Sequence, residues 1–160
     1  MNRRTAFSLT VGFLAGAAVL ASIGSISAQQ ADTDAVKAVI DGYHSALSAL
    51  DVQKMDGLWA HDPYVVLINP RDKGISVGWD AVKKNWDATF AAWSELKVTQ
   101  QDGPHIHVNG NVAWASGIAL AAGKLKNGTT VSSPTYEIDV MEKRGNSWLL
   151  VSHTAVRVPQ

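Results

Sequence analysis

The second half of the chain constrains the fold most. From Glu95 onward four long stretches rich in β-branched and apolar residues, 95–108, 112–124, 129–143 and 148–158, follow one another almost without interruption. Asn109-Gly110, Asn127-Gly128 and Gly145-Asn146 lie between them, and such pairs adopt the positive φ angles of tight hairpin turns. Connections this short leave room only for antiparallel neighbours, so the pattern predicts a four-stranded meander. Long strands twist, and one face of such a sheet must be buried by another layer.

The covering layer is predicted upstream. From Asp32 the apolar positions Val36, Val39, Ile40, Tyr43, Leu47 and Leu50 recur at helical spacing, with Asp32 or Thr33 as cap. Asp51 can cap a short second helix with Met55, Leu58 and Trp59 on one side, closed by His61-Asp62-Pro63. Residues 64–68 and 75–77 read as a small hairpin around Asn69-Pro70 and the turn 71–74. Trp79, Val82, Trp86, Phe90 and Trp93 then step at threes and fours along a third helix with an aromatic face. Helices first and a meander last predict an α+β fold.

Residues 1–28 read as an address. Arg3 and Arg4 give a basic start, residues 6–23 an apolar run, and Ser25, Ser27 and Ala28 a small-residue exit. The expectation is a signal peptide cut near Ala28, a single domain over 29–160 and export, into the periplasm. Uncleaved, the same segment is a membrane anchor. Arg3-Arg4 leaves general and twin-arginine export open, although Phe7 stands one residue late for the latter.

Of 14 basic and 14 acidic side chains in the whole chain, removal of the signal takes only Arg3 and Arg4, so the remainder carries two excess negative charges. That balance offers no electrostatic footprint for nucleic acid. With 0 Cys, disulfides and thiolate metal sites are excluded and burial of apolar surface must hold the domain.

Asp139 and His153 interrupt strands otherwise built of Ile138, Val140, Leu149 and Val151. A two-residue turn at Asn127-Gly128 sets Asp139 opposite Ser116, on the face of Trp114, Ser116 and Ile118, unless Pro134 inserts a bulge. In the last hairpin a three-residue loop, 145–147, sets Asp139 across from His153, whereas a two-residue loop sends them to opposite faces. The residues alone leave both registers open. His105 and His107 share a strand face but lack a third ligand at suitable spacing, so no metal is expected. His44, next to Tyr43, is expected off the buried stripe.

"YHSALSALDVQKMDGLWAHDP", "INPRDKGISVGWDAVKKNW", "PHIHVNG" and "EKRGNSWLLVSH", in that order, resemble a SnoaL-like domain of the nuclear transport factor 2-like superfamily. "PHIHVNG" and the tail also resemble the association domain of calcium/calmodulin-dependent kinases. The resemblance implies a cone-shaped α+β barrel, a strongly bent antiparallel sheet wrapped around three N-terminal helices. It also implies a pocket at the wide end and a homodimer through the convex sheet face. Members include enzymes and binding proteins, so function rests on the site.

By resemblance to ketosteroid isomerase, Tyr43 and Asp139 take the places of the oxyanion-holding tyrosine and protonated aspartic acid. The same alignment turns His153 into the pocket and favours the three-residue loop. Asn69-Pro70 stands where the isomerase has its base aspartate, and an amide has no useful basicity. Residues 111–142 contain no Arg, so the carboxylate fork of the kinase domains is missing. The expected pocket is aromatic and nearly uncharged, walled by Trp59, Trp86, Phe90 and Trp114 with Asn69 and Ser116 as polar contacts. It suits a small apolar molecule with one or two polar atoms, without a cofactor.

Two functions follow. The preferred one is non-catalytic binding of a small apolar ligand. The alternative is a cofactor-independent isomerase, cyclase or lyase, in which His153 is a base oriented by Asp139 and Tyr43 polarises a carbonyl. A scaffold whose pocket is filled by its own tryptophans is a third.

Overall fold

The structure, a computed structural model, describes residues 12–159, with side chains from residue 27. Most of the expected signal segment therefore lies outside the described side chains, and its first eleven residues outside the described backbone. No helix among the described residues is long and apolar enough to cross a membrane. Contacts divide the chain at Asp32, and the unit Thr33–Gln160 carries the fold.

Helix α1, Gly12–Ala49, runs through Asp32 and Thr33, where a cap is expected. Residues 26–35 contain neither Pro nor Gly, so nothing in the backbone breaks the helix there. Its end is sharper. Leu50 takes the left-handed conformation at φ 52°, Asp51 N–H donates to Ala46 O at 2.9 Å and Leu50 N–H to Leu47 O at 3.1 Å. This is a Schellman closure, formed without the usual glycine.

Asp51 then caps α2, Val52–Asp56, by accepting from Lys54 N–H at 2.8 Å. Strands β1, Val66–Ile68, and β2, Ser76–Val77, form the small hairpin. Gly78, at φ +83°, turns the chain into α3, Trp79–Ala92, and its N–H donates to Val65 O at 2.8 Å. A side chain there meets Pro63 O at 3.3 Å in a backbone conformation that L residues avoid.

The meander follows as expected: β3, Trp93–Asn109, β4, Val112–Leu125, β5, Thr130–Arg144, and β6, Ser147–Arg157. The six strands are ordered β2-β1-β6-β5-β4-β3 in one curved, unclosed sheet. One pairing departs from the antiparallel expectation: β1 lies parallel to β6, with Leu67 beside His153. These two strands are far apart in sequence, so no hairpin dictates their direction. Helices packed on the concave side of this bent sheet give the expected cone-shaped α+β architecture.

The sheet bends where β3 slips register against β4 between Gln100 and His105. There Gly117 passes so close that a Cβ on it falls 2.7 Å from Asp102 O. Facing the helices, β4 presents the small side chains Ala113, Ala115 and Ala119, all buried. This lets Val36, Ile40, Tyr43, Trp59, Val82 and Trp86 pack down on the sheet as one core. Each large apolar side chain so buried contributes about 1.5–3 kcal/mol.

The first expected register needs correction, and the second holds by a different route. Leu125 N–H donates to Thr129 O at 2.9 Å, so the β4–β5 loop has three residues, with Gly128 at φ +90°, and Asp139 faces Ala115. Ser116 instead faces Ile138, and Pro134 pairs with Leu120 without a bulge. In the last hairpin Arg144 pairs with Ser147 across a two-residue turn, not the three-residue loop expected. A bulge between Val140 and Met141, where Leu150 and Ser152 are the partners, absorbs Val151 and restores Asp139 opposite His153.

Candidate functional site

The concave side of the sheet and the helices enclose an open cavity of about 640 Å³. Leu47, Trp86, Trp93, Leu96, Val98, Val131 and Ala155 give most of its wall an apolar character. Tryptophans wall the space and do not fill it, contrary to the scaffold expectation.

Tyr43 and His153 line this cavity from α1 and β6. Their rings lie 4.6 Å apart between centroids. Behind His153, Asp139 Oδ1 accepts a hydrogen bond from its Nδ1 at 2.7 Å, with both side chains buried. With Nδ1 the donor in this bond, Nε2 is the ring nitrogen left without a proton in the neutral imidazole. Burial pulls the imidazole pKa of His153 down. The charge and hydrogen bond of Asp139, joined by Glu137 and Asp72, outweigh it and hold the value above the usual one. The Tyr43 hydroxyl is pushed well above its ordinary pKa by burial, then by Glu137, Asp139 and Asp72, so it stays a proton donor.

Beside this pair stands a second that the sequence reading missed. His44 is buried, against the expectation, and its Nε2 donates to Glu137 Oε2 at 2.8 Å. Thr135 Oγ1 lies 3.4 Å from Glu137 Oε1. Burial raises the pKa of Glu137, but His44, the charge of His153 and Thr135 together bring it below the usual carboxylate value. Thr135, Glu137 and Asp139 alternate with Tyr136, Ile138 and Val140 along β5. Once Asp139 is placed inward, period-two alternation brings Glu137 with it.

The remaining expected contacts divide. Asn69 and Trp86 line the cavity. Asn69 is held by its neighbours: Nδ2 donates to Asn85 Oδ1 at 2.9 Å, and its backbone N–H to Asp72 Oδ2 at 2.8 Å. Trp59 and Phe90 are buried in the core and are not among the lining residues. Trp114 and Ser116 are on the opposite face, with Trp114 44% exposed and its ring 4.3 Å from that of His107 at a tilt of 34°. The one-residue change of register sends them there. Among the described residues no group of three His, Cys, Asp or Glu side chains converges as a metal site.

The cavity is also more charged than expected. Glu137 lies deep, while Arg71, Asp72, Lys84 and Arg157 line its mouth. None of these cations could be assigned to the pocket from the central strands, because they come from a turn, a helix and the last residue of β6.

Comparison with known proteins agrees with this fold. A family model described as a SnoaL-like domain matches residues 36–156. A nuclear transport factor 2-like superfamily protein from Salmonella enterica serovar Typhimurium superposes with TM-score 0.72 at 22% identity, covering 85% of this chain and 94% of that one. A ketosteroid isomerase-like protein from Erwinia carotovora atroseptica gives 0.69 at 14% identity, covering 81% and 98%. A protein with a cystatin-like fold from Caulobacter vibrioides gives 0.68 at 15%, covering 79% and 89%. At these identities the likeness shows the fold. A search of curated proteins finds no match.

Proposed function

Since the chain belongs to the SnoaL-like domain family, we propose that it is an exported, cofactor-independent acid–base enzyme of the isomerase, cyclase or lyase class. Its substrate is small, mostly apolar and carries a carbonyl. The observation that carries this reading is the Asp139–His153 hydrogen bond of 2.7 Å placed against a cavity that Tyr43 shares.

In its neutral form His153 takes a proton at Nε2 from the carbon next to the carbonyl, and Asp139 stabilises the imidazolium formed. Tyr43 donates a hydrogen bond to the enolate oxygen. Return of the proton to another carbon gives isomerisation, and departure of a leaving group gives elimination. Asn69 has no basic lone pair and serves to position the mouth through Asn85 and Asp72.

Proton exchange tests this without knowledge of the natural substrate. Incubated in deuterium oxide with phenylacetone and related aryl ketones, the protein is expected to accelerate loss of the α-proton signals, and His153→Ala to abolish the acceleration. Exchange that survives this substitution rules out His153 as the base.

The second reading, a binding protein without chemistry, is favoured by Asn69 at the place of the isomerase base and by the 1% exposure of the His153 side chain. Under it, His153→Ala changes affinity for aryl ketones while no exchange is seen in either protein. We further propose a homodimer through the convex face, where Trp114, Tyr136, Ile138 and Val156 stand exposed on adjoining strands. Export rests on the sequence of residues 1–28.

A further inference from the structure

We infer that the ligand of this cavity is an amphiphilic anion, an apolar body bearing a carboxylate, that enters with its uncharged end first. The inference rests on the cavity as a small-molecule site, as proposed above, and adds the chemistry of what fills it.

Charge is distributed unevenly along the cavity. At its mouth Arg71 follows Pro70 in the turn after β1, Lys84 projects from α3, and Arg157 closes β6. All three are exposed, and among the described residues none has an ion-pair partner. Some cations elsewhere are taken up by carboxylates, Lys37 by Asp41, Lys83 by Asp56 and Asp87, and Arg144 by Asp62 and Glu142. Three cations left free around one opening form a ready anion clamp, and guanidinium groups offer a carboxylate two parallel hydrogen bonds.

Asp72 also faces the mouth, but its Oδ2 already accepts from the Asn69 backbone N–H at 2.8 Å and from Asn85 Nδ2 at 2.9 Å. It organises the turn that carries Arg71. At the inner end the charged groups are Glu137 and, behind His153, Asp139, the first bonded to His44 and the second to His153. A ligand carboxylate driven inward meets two buried carboxylates and leaves water, both unfavourable. At the mouth it meets three cations and stays hydrated on one side. Between the two ends, Leu47, Trp86, Trp93, Leu96 and Val131 fit hydrocarbon or aromatic surface. The polarity of the cavity therefore fixes both the class of ligand and its direction of entry.

The test compares 4-phenylbutanoate with 4-phenylbutan-1-ol, which share a body and differ in charge, by titration calorimetry on the wild-type protein and on the double variant Arg71→Gln/Arg157→Gln. Both arginines are exposed, and thermal melts verify that the variant is folded. The acid is expected to bind about tenfold tighter than the alcohol in dilute buffer, to lose most of that advantage in salt of about 0.5 M, and to lose it in the double variant. Equal affinities for acid and alcohol in the wild type, or an advantage unchanged in the double variant, overturn the anion clamp while leaving the cavity as an apolar binding site. Binding of neither compound overturns the cavity reading and the clamp with it.

Discussion

His153 stands directly across the sheet from Asp139, joined to it by a hydrogen bond of 2.7 Å, although the turn between their strands has only two residues. Without the bulge at Val151 that turn would place the imidazole on the convex face, away from Tyr43 and the cavity. The site therefore depends on one extra residue in one strand. It also makes Asp139 the group that sets the proton affinity of the imidazole.

Replacing Asp139 by Asn removes the strongest influences that raise the pKa of His153 and leaves burial, which lowers it. If His153 is the base, the rate of α-proton exchange rises with pH through that pKa. Asp139→Asn is expected to move the midpoint to lower pH and to reduce the plateau rate by about a hundredfold, the lower end of what general-base catalysis contributes. A pH–rate profile of both proteins checks this.

Stability should fall on both sides of a mildly acidic window. His153 has a raised folded-state pKa, so its contribution is fully present below about pH 6.5, the unfolded value, and is lost as pH rises through the folded value. Glu137 has a lowered one, so its contribution is present above about pH 4.3 and is lost as pH falls through the folded value. Thermal melts across this range are expected to show both declines, with the alkaline one removed by Asp139→Asn.

His44→Ala strips Glu137 of its buried partner and is expected to cost about 3–5 kcal/mol in a denaturant titration, because a charge is left desolvated. His44→Ala/Glu137→Gln is expected to recover part of that loss. If the two substitutions simply add, the pair is not coupled.

Ile138→Lys on the convex face is expected to shift the protein from dimer to monomer in sedimentation equilibrium without lowering its melting temperature as a monomeric domain. Ile138 is 53% exposed, so the domain itself gives up little burial.

Element type and order were legible in the sequence because they rest on local periodicity: the Val36 to Leu47 stripe, the Trp79 to Phe90 stripe and the three turn pairs. Register was not, because it depends on bulges and loop geometry that leave no mark in composition. The Asn127-Gly128 loop takes one residue more than its dipeptide suggests, and this alone moved Trp114 and Ser116 from the expected pocket to the convex face. His153 reached the cavity by a different route from the one expected, through the Val151 bulge and not the turn. Tyr43, Asn69 and Trp86 line the cavity, each placed by a helix face or a strand end. His44 was missed because it follows Tyr43, which already had a role, and Glu137 because its inward direction shows only once Asp139, two residues on, is placed. Arg71, Lys84 and Arg157 meet at one opening only after the chain has folded.

The most direct measurement of whether Asp139 and His153 form a working acid–base pair is a pH titration of the 15N-labelled histidine side chains by NMR, in the wild type and in Asp139→Asn. The expected result is a His153 imidazole that carries its proton on Nδ1, titrates above about 6.5 and shifts downward in the variant. A His153 that titrates below that value, or that is unmoved by loss of Asp139, contradicts the pairing on which the proposed chemistry depends.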